Sequence, residues 1–199
     1  LPAVDAIVAI LAGGRSSRMG APKTMAELGG RPLLSYPIAA ALAVDLEGWV
    51  VAKRETELPA LDCPVLIEPD EPAHALAGVL AALREAGGRG VVAVAGDMPF
   101  VEDKLIAWLA SHPGTVAIEA AGRLQPLLAR YDPAEAGALA EAVERGDSAR
   151  DALRSLGPKI VGEDGLRRFG DPERICFNVN TPQDLERAER LVAAGAQRP

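Results

Sequence analysis

The sequence predicts an α/β fold: a single domain over residues 1–199 with a mostly parallel sheet flanked by helices. Two runs, Val4–Leu11 and Val91–Ala95, are almost continuously apolar and rich in Val, Ile and Ala, the pattern of strands covered on both faces. Stretches with apolar residues at helical spacing alternate with these and shorter β-branched runs, which favours parallel strands joined by helices. At 199 residues the chain is long enough for one core that buries roughly two thirds to three quarters of the unfolded surface.

The first strand stops at Gly13-Gly14, and the polar stretch Arg15–Thr24, with Gly20 and Pro22, reads as a loop. Gly29-Gly30-Arg31 makes a turn. Pro32 suits the first position of a helix whose apolar face is Leu33, Leu34, Pro37, Ile38, Ala41 and Leu42, although Pro37 weakens this helix or shifts its start. Trp49–Ala52 and Val65–Ile67 read as strands. Leu76, Val79, Leu80 and Leu83 place a helix over Ala73–Ala86, closed by Gly87-Gly88. Val91–Ala95 ends in Gly96-Asp97-Met98-Pro99, where proline forbids a central ladder, so Asp97 stands at a strand's carboxyl end. Leu105–Leu109 and the Ala-rich Ala134–Arg145 read as helices, Thr115–Glu119 and Leu127–Tyr131 as strands. Asp171–Val179 is expected to contain a late strand. Asn178 and Asn180, two apart, would share one of its faces, and Phe177 and Val179 the other. Thr181-Pro182-Gln183-Asp184 then opens a final helix. Ligands of such sheets bind at the carboxyl ends of the strands.

Composition narrows the function. Glycine and proline together make up 36 of 199 residues, below the ~25–30% of low-complexity chains, which argues against disorder and collagen. The longest apolar runs, such as Ala6–Ala12, fall far short of the ~18–20 residues of a membrane span, so no membrane partner is expected. No secretory pattern stands near Leu1. Cys63 and Cys176, 113 positions apart, form no CxxC pair, so they read as packing residues in a protein of the reducing cytoplasm. A net charge of −7 argues against nucleic acid. Residues 13–32 depart from that balance: Arg15, Arg18, Lys23 and Arg31 face Glu27 alone, a local +3 that can receive an anion.

Inside that window, Leu11-Ala12-Gly13-Gly14-Arg15-Ser16-Ser17-Arg18-Met19-Gly20-Ala21-Pro22-Lys23 leaves a buried strand, loses all side-chain bulk for two residues, then presents three cations and two hydroxyls. Glycines let backbone amides approach phosphate oxygens, Arg supplies forked donors and Lys a compact charge, a combination suited to a polyphosphate. Two better-known phosphate loops fail on spacing. GxGxxG is absent, and Lys23 follows Gly20 by three positions instead of one. His74 and His112 lack metal-ligand spacing and read as helix or helix-end residues.

The run LAGGRSSRMGAPK closely resembles the signature of nucleotidyltransferases, particularly the molybdenum cofactor guanylyltransferases. Gly29-Gly30-Arg31-Pro32-Leu33, Leu76-Ala77-Gly78, Gly96-Asp97-Met98-Pro99-Phe100, Gln125-Pro126-Leu127 and Phe177-Asn178-Val179-Asn180-Thr181-Pro182 continue the resemblance in the same order over residues 4–185. It implies a Rossmann-like nucleotidyltransferase fold of the glycosyltransferase-A-like kind. It also implies transfer of GMP from GTP to molybdopterin carrying molybdenum, with release of pyrophosphate. By resemblance, Leu11, Ala12, Gly13 and Lys23 bind the nucleotide, Arg15 and Arg18 contact phosphate, Asp97 holds Mg²⁺, and Asn178 and Asn180 position the acceptor or the metal. Relatives that use CTP usually read LAAG, so Gly13 implies room for a purine, and Asp70 fits the acid that the family places on the guanine side. A carboxylate there can accept from the ring N–H and the exocyclic amine together, which cytosine cannot match. Two departures stand out: Lys53 where the family often has an asparagine near the ribose, and His74-Ala75 in place of Gly-Pro. The expected partners are GTP and molybdopterin, with transient contact to other molybdenum-cofactor proteins. The alternatives are a cytidylyltransferase for molybdenum cofactor or a sugar or isoprenoid phosphate, and a nucleotide-binding delivery protein without turnover.

Overall fold

A computed structural model describes residues 6–13 and 22–196. Its strands are β1 (Ala6–Leu11), β2 (Glu27–Leu28), β3 (Arg31–Pro32), β4 (Gly48–Ala52), β5 (Val65–Ile67), β6 (Gly90–Ala95), β7 (Val116–Ala120), β8 (Arg123–Tyr131) and β9 (Lys159–Val161). The helices are α1 (Ser35–Leu42), α2 (Ala77–Glu85), α3 (Asp103–Ala110), α4 (Ala136–Arg145), α5 (Ala149–Ser155), α6 (Glu163–Leu166), α7 (Pro172–Ile175) and α8 (Pro182–Ala196).

Seven strands form one sheet in the order β5-β4-β1-β6-β8-β7-β9. β5, β4, β1 and β6 run parallel, as do β7 and β9, while β8 is antiparallel to both its neighbours. The mostly parallel sheet is thus as expected. Along β1 the side chains divide by the strand period of two. Val8 and Ile10 pack with Leu34, which precedes α1, and with Ile38, Leu105 and Leu109 from α1 and α3, whereas Ile7, Ala9 and Leu11 pack with Val79, Leu83, Leu139 and Leu153 from α2, α4 and α5. Every residue of β1 and β6 is buried, and burying a Val or Ile side chain fully stabilises by about 1.5–3 kcal/mol. Pro126 sits in β8 where the register with β7 shifts between Ala117 and Ile118, beyond the part of β8 that pairs with β6, so its missing N–H breaks no central bond.

Several elements differ from expectation. Pro32 belongs to β3, which pairs with β2 across Gly29 and Gly30, both at positive φ; α1 begins at Ser35. Pro37 then lies in the first helical turn, where no intrahelical N–H is lost. Leu42, expected on the apolar face, is exposed at 54%. α2 starts at Ala77, four residues late, because His74 shapes the approach: its Nδ1 accepts from the Leu76 N–H at 3.0 Å and its Nε2 donates to the Asp147 carbonyl at 2.7 Å. Gly87 closes α2 at φ +64°, as read from the sequence.

The late strand in Asp171–Val179 does not form. Asp171 caps α7 by accepting from the Glu173 N–H at 3.1 Å, and Pro172 at the first helical position turns the segment helical. The residues that follow join no sheet. Phe177 and Val179 nevertheless bury themselves against Leu28, Leu33, Phe100 and Ala188, so the alternation seen in the sequence reflects burial without a ladder. β9, α5 and α6 were not anticipated. Among the described residues no helix is long and apolar enough to cross a membrane.

Candidate active site

The parallel part of the sheet sends four chain segments out along one edge. Ala12-Gly13 leaves β1, Lys53 leaves β4, Glu68-Pro69-Asp70 leaves β5, and Gly96-Asp97 leaves β6. Backbone bonds lock these exits together: Ala12 N–H donates to the Val51 carbonyl at 2.8 Å, Glu68 N–H to Ala52 at 2.9 Å, and Gly96 N–H to Leu11 at 3.0 Å. Gly96 permits that approach, because a Cβ there would stand 2.6 Å from Leu34 Cδ1 and 3.1 Å from the Leu11 carbonyl.

Lys23, on a single 3₁₀ turn (Lys23–Met25), reaches across this edge. Its ammonium pairs with Asp97 Oδ2 and donates to Asn180 Oδ1 at 2.7 Å. Residues 74 and 157 positions distant in sequence from Lys23 thus meet on one cation. Asn180 is held there from both sides. The Val179 N–H donates to the Asp97 carbonyl at 2.9 Å, and the Asn180 N–H donates to Asp184 Oδ2 at 3.0 Å. Asp184 also accepts from the Thr181 N–H at 2.9 Å and from Thr181 Oγ1 at 2.8 Å, while Thr181 Oγ1 accepts from the Asp184 N–H, the reciprocal pattern of a capping box. Slight desolvation pushes the Asp184 carboxyl up, but the hydrogen bonds from Thr181 and Asn180, with the Lys23 charge, hold it below the ordinary aspartate value.

Asn178 takes a different course. Its Nδ2 donates to the Cys176 carbonyl at 2.9 Å, a local turn contact, and the shared strand face expected for the two asparagines is absent because no strand forms. Leu11 and Ala12 bury their side chains in the core, and the Leu11 carbonyl and the Ala12 N–H are taken by Gly96 and Val51, while Gly13 is exposed at the edge. Lys53 donates from Nζ to the Asp70 carbonyl at 2.8 Å, joining the ends of β4 and β5, and Asp70 itself is exposed. Arg15 and Arg18 lie outside the described residues.

Glu68, missed in the sequence, is the buried acid of this edge, only 8% exposed. Burial holds its carboxyl above the usual glutamate range, with the Lys53 charge opposing and the Asp70 charge adding to that shift. The Glu68 side chain lies close to both Gly13 and Gly78, a proximity that exists only in the folded chain. Cys176 is pushed up to about 11 by burial and Cys63 is raised for the same reason, which fits packing residues.

A divalent cation is compatible with this donor set. Asp97 Oδ1 is buried without a hydrogen-bond partner, and Asn180 supplies a neutral oxygen nearby. Among the described residues no cluster of three or more His, Cys, Asp or Glu could hold a metal, so any ion here would take one carboxylate and complete its shell from phosphate oxygens and water, as Mg²⁺ does.

The MobA-like NTP transferase domain family matches residues 8–160. The chain belongs to that family. A molybdenum cofactor guanylyltransferase of Cereibacter sphaeroides is 35% identical over 94% of this chain and 97% of its own, and a probable molybdenum cofactor guanylyltransferase of Aquifex aeolicus is 26% identical over 89% and 87%. Among solved structures, molybdopterin-guanine dinucleotide biosynthesis protein A from Archaeoglobus fulgidus superposes with a TM-score of 0.80 at 28% identity, covering 94% of this chain and 98% of that one. The 2-C-methyl-D-erythritol 4-phosphate cytidylyltransferase of Thermus thermophilus, at 24% identity and a TM-score of 0.66 over 94% and 98%, shares the fold. As a MobA-like NTP transferase the chain is a nucleotidyltransferase of Rossmann-like fold. The family's polar segments converge here on the sheet edge, Asp97 and Asn180 directly on Lys23.

Proposed function

We propose that this nucleotidyltransferase transfers GMP from GTP to the terminal phosphate of molybdopterin carrying molybdenum, with Mg²⁺ as its cation. The observation that carries the reading is the convergence of Lys23, Asp97 and Asn180 at the carboxyl edge of the parallel strands. The names of the full-length relatives support guanine as the base and molybdenum cofactor as the acceptor.

In the reaction, an oxygen of the acceptor phosphate forms a bond to the α-phosphorus, and the bond from that phosphorus to the bridging α–β oxygen breaks, so the electron pair leaves on pyrophosphate. The nucleophile is already an anion near neutral pH and needs no strong base; alignment and charge neutralisation lower the barrier. When bound, Mg²⁺ would neutralise charge on the triphosphate, with Asp97 as its protein carboxylate. Lys23 releases Asp97 to meet a phosphate oxygen, Asn180 orients Lys23, and Arg15 and Arg18 add cationic donors to the departing pyrophosphate. Leu11, Ala12 and Gly13 line the nucleotide side, with Lys53 and Asp70 beside the ribose and base. Asn178 supports the acceptor side through its turn. Transient contact with other molybdenum-cofactor proteins would hand on the product.

The test is a reconstitution with GTP, Mg²⁺ and molybdenum-loaded molybdopterin, read by mass spectrometry for the guanine dinucleotide and by pyrophosphate release. Dinucleotide with GTP, and little with CTP or ATP, is the expected result. Product formation that prefers CTP refutes the guanylyl assignment, and nucleotide binding without any product favours a delivery role.

A further inference from the structure

Lys23 takes the two side-chain oxygens that this edge offers a cation. Its ammonium pairs with Asp97 Oδ2 and donates to Asn180 Oδ1 at 2.7 Å. Both oxygens stand on fixed supports. Asp97 lies between Gly96, whose N–H donates to the Leu11 carbonyl at 3.0 Å, and Met98, which is fully packed, while its own carbonyl accepts from the Val179 N–H. Asn180 is pinned through Asp184 at the head of α8. The lysine is held more lightly. It opens a single 3₁₀ turn that has no buried residue and no side-chain cap, tied down by the Met25 and Ala26 N–H groups on the Pro22 and Lys23 carbonyls and by Thr24 Oγ1 on the Glu57 carbonyl. A flexible four-carbon stem carries its charge. When the pair opens, the ammonium is therefore the member that moves.

We infer that Lys23 is the free protein's own cation at Asp97 and bars a divalent ion until a triphosphate draws the ammonium away, so that metal and nucleotide bind cooperatively. This role rests on the proposed reading of Asp97 as the carboxylate of the cation and adds how binding there is regulated. Charge decides the order. A divalent ion arriving alone has to break an ion pair reinforced by Asn180, and it leaves the displaced ammonium beside a second cation with no counter-charge. A triphosphate removes both costs, because its oxygens accept from the ammonium and bring negative charge to the edge. The coupling is reciprocal: the factor by which nucleotide raises affinity for the metal is the factor by which metal raises affinity for the nucleotide. Until then Lys23 keeps Asp97, whose side chain is only 19% exposed, from standing as an unpaired carboxylate.

The test titrates Mn²⁺ into nucleotide-free protein, read by loss of the free-ion electron paramagnetic resonance signal, and measures GTP affinity with and without Mn²⁺ by equilibrium dialysis. The proteins are the parent, Lys23→Met, Lys23→Gln, Lys23→Arg and Asp97→Asn, each also melted with and without Mn²⁺; the glutamine variant, neutral but able to hydrogen-bond Asp97, keeps the comparison open if the methionine variant does not fold. Either neutral variant should bind Mn²⁺ alone about 10-fold or more tightly than the parent and gain more melting temperature from it, once the competing charge is gone. Its GTP affinity should fall, and the enhancement of GTP binding by Mn²⁺ should shrink by about the factor gained for the metal alone. Lys23→Arg keeps the charge and should keep Mn²⁺ out, and adding Asp97→Asn to Lys23→Met should erase the gained site. The assignment is overturned if the neutral variants bind Mn²⁺ alone no tighter than the parent, as for a purely structural ion pair, or if the gain survives Asp97→Asn. Mn²⁺ uptake by the parent that Asp97→Asn leaves unchanged refutes Asp97 as the cation's carboxylate and this role with it. A parent that prefers CTP refutes only the guanylyl reading, because the ammonium meets the triphosphate and not the base.

Discussion

Gly78→Ala sets two opposed effects against each other at a position where both can be sized. Gly78 is the second residue of α2, and exchanging a helical glycine for alanine ordinarily stabilises by up to about 1 kcal/mol. Here the new methyl would stand 2.6 Å from Glu68 Oε2, 2.6 Å from Leu11 Cδ1 and 3.2 Å from Val51 Cγ1. Leu11 and Val51 belong to packed strands with 7% and 0% exposure, so they have little room to give. Overpacking of this kind costs about 1–3 kcal/mol, and with three neighbours crowded at once the upper part of that range applies. The net expectation is a loss of about 1–2 kcal/mol, which for a chain of this length lowers the melting temperature by about 2–8 °C. Differential scanning fluorimetry measures it directly. A melting temperature equal to or above the parent's would refute the packing argument and the close seat assigned to Glu68.

Other outcomes follow from the same edge. Asp97→Asn should lower Mg²⁺-dependent transfer by about 10²–10³-fold while the circular dichroism of the fold is retained, and turnover like the parent's would remove Asp97 from the site. Asp184→Ala deletes the acid of the capping box and should cost about 1 kcal/mol in urea unfolding. The native carboxyl is held below its ordinary 3.8, so its contribution is complete above that value and is lost as pH falls through the lower native one; the stability gap between parent and variant should close on acidification. Cys176, with its thiol near 11, should react with iodoacetamide at pH 7.5 far more slowly than free cysteine, and fast labelling would contradict its burial.

Much of this architecture was legible because its local signals agree with its global ones. β1 and β6 are apolar at every position since both faces of the sheet are covered, and Asp97 falls at a carboxyl end because Pro99 forbids a longer strand. The segment Phe177–Asn180 misled for a physical reason. Alternation of apolar and polar residues records which side chains are buried, and here the burying surface is Leu28, Leu33, Phe100 and Ala188 while the Val179 N–H goes to Asp97. β9 escaped notice because Lys159 and Ile160 are exposed on a three-residue edge strand.

The site was legible in part. Lys23, Asp97 and Asn180 stand in motifs that resemble the family's, and the fold brings them together around the Lys23 ammonium. Asn178 stands in the same motif but turns to the Cys176 carbonyl, a choice made by the turn after α7 and invisible in residue types. Glu68 was hidden for a different reason. A glutamate before Pro69 and Asp70 reads as solvated turn, and only the folded approach of Gly13 to Gly78 gives its side chain a buried place.

Diffraction from crystals soaked with GTP and Mn²⁺ measures where the cation and triphosphate sit. An anomalous peak within about 2.2 Å of an Asp97 carboxylate oxygen, with Lys23 drawn to the phosphates, is the result these residues require. Manganese bound elsewhere, or a triphosphate that leaves Lys23 on Asp97, would contradict it.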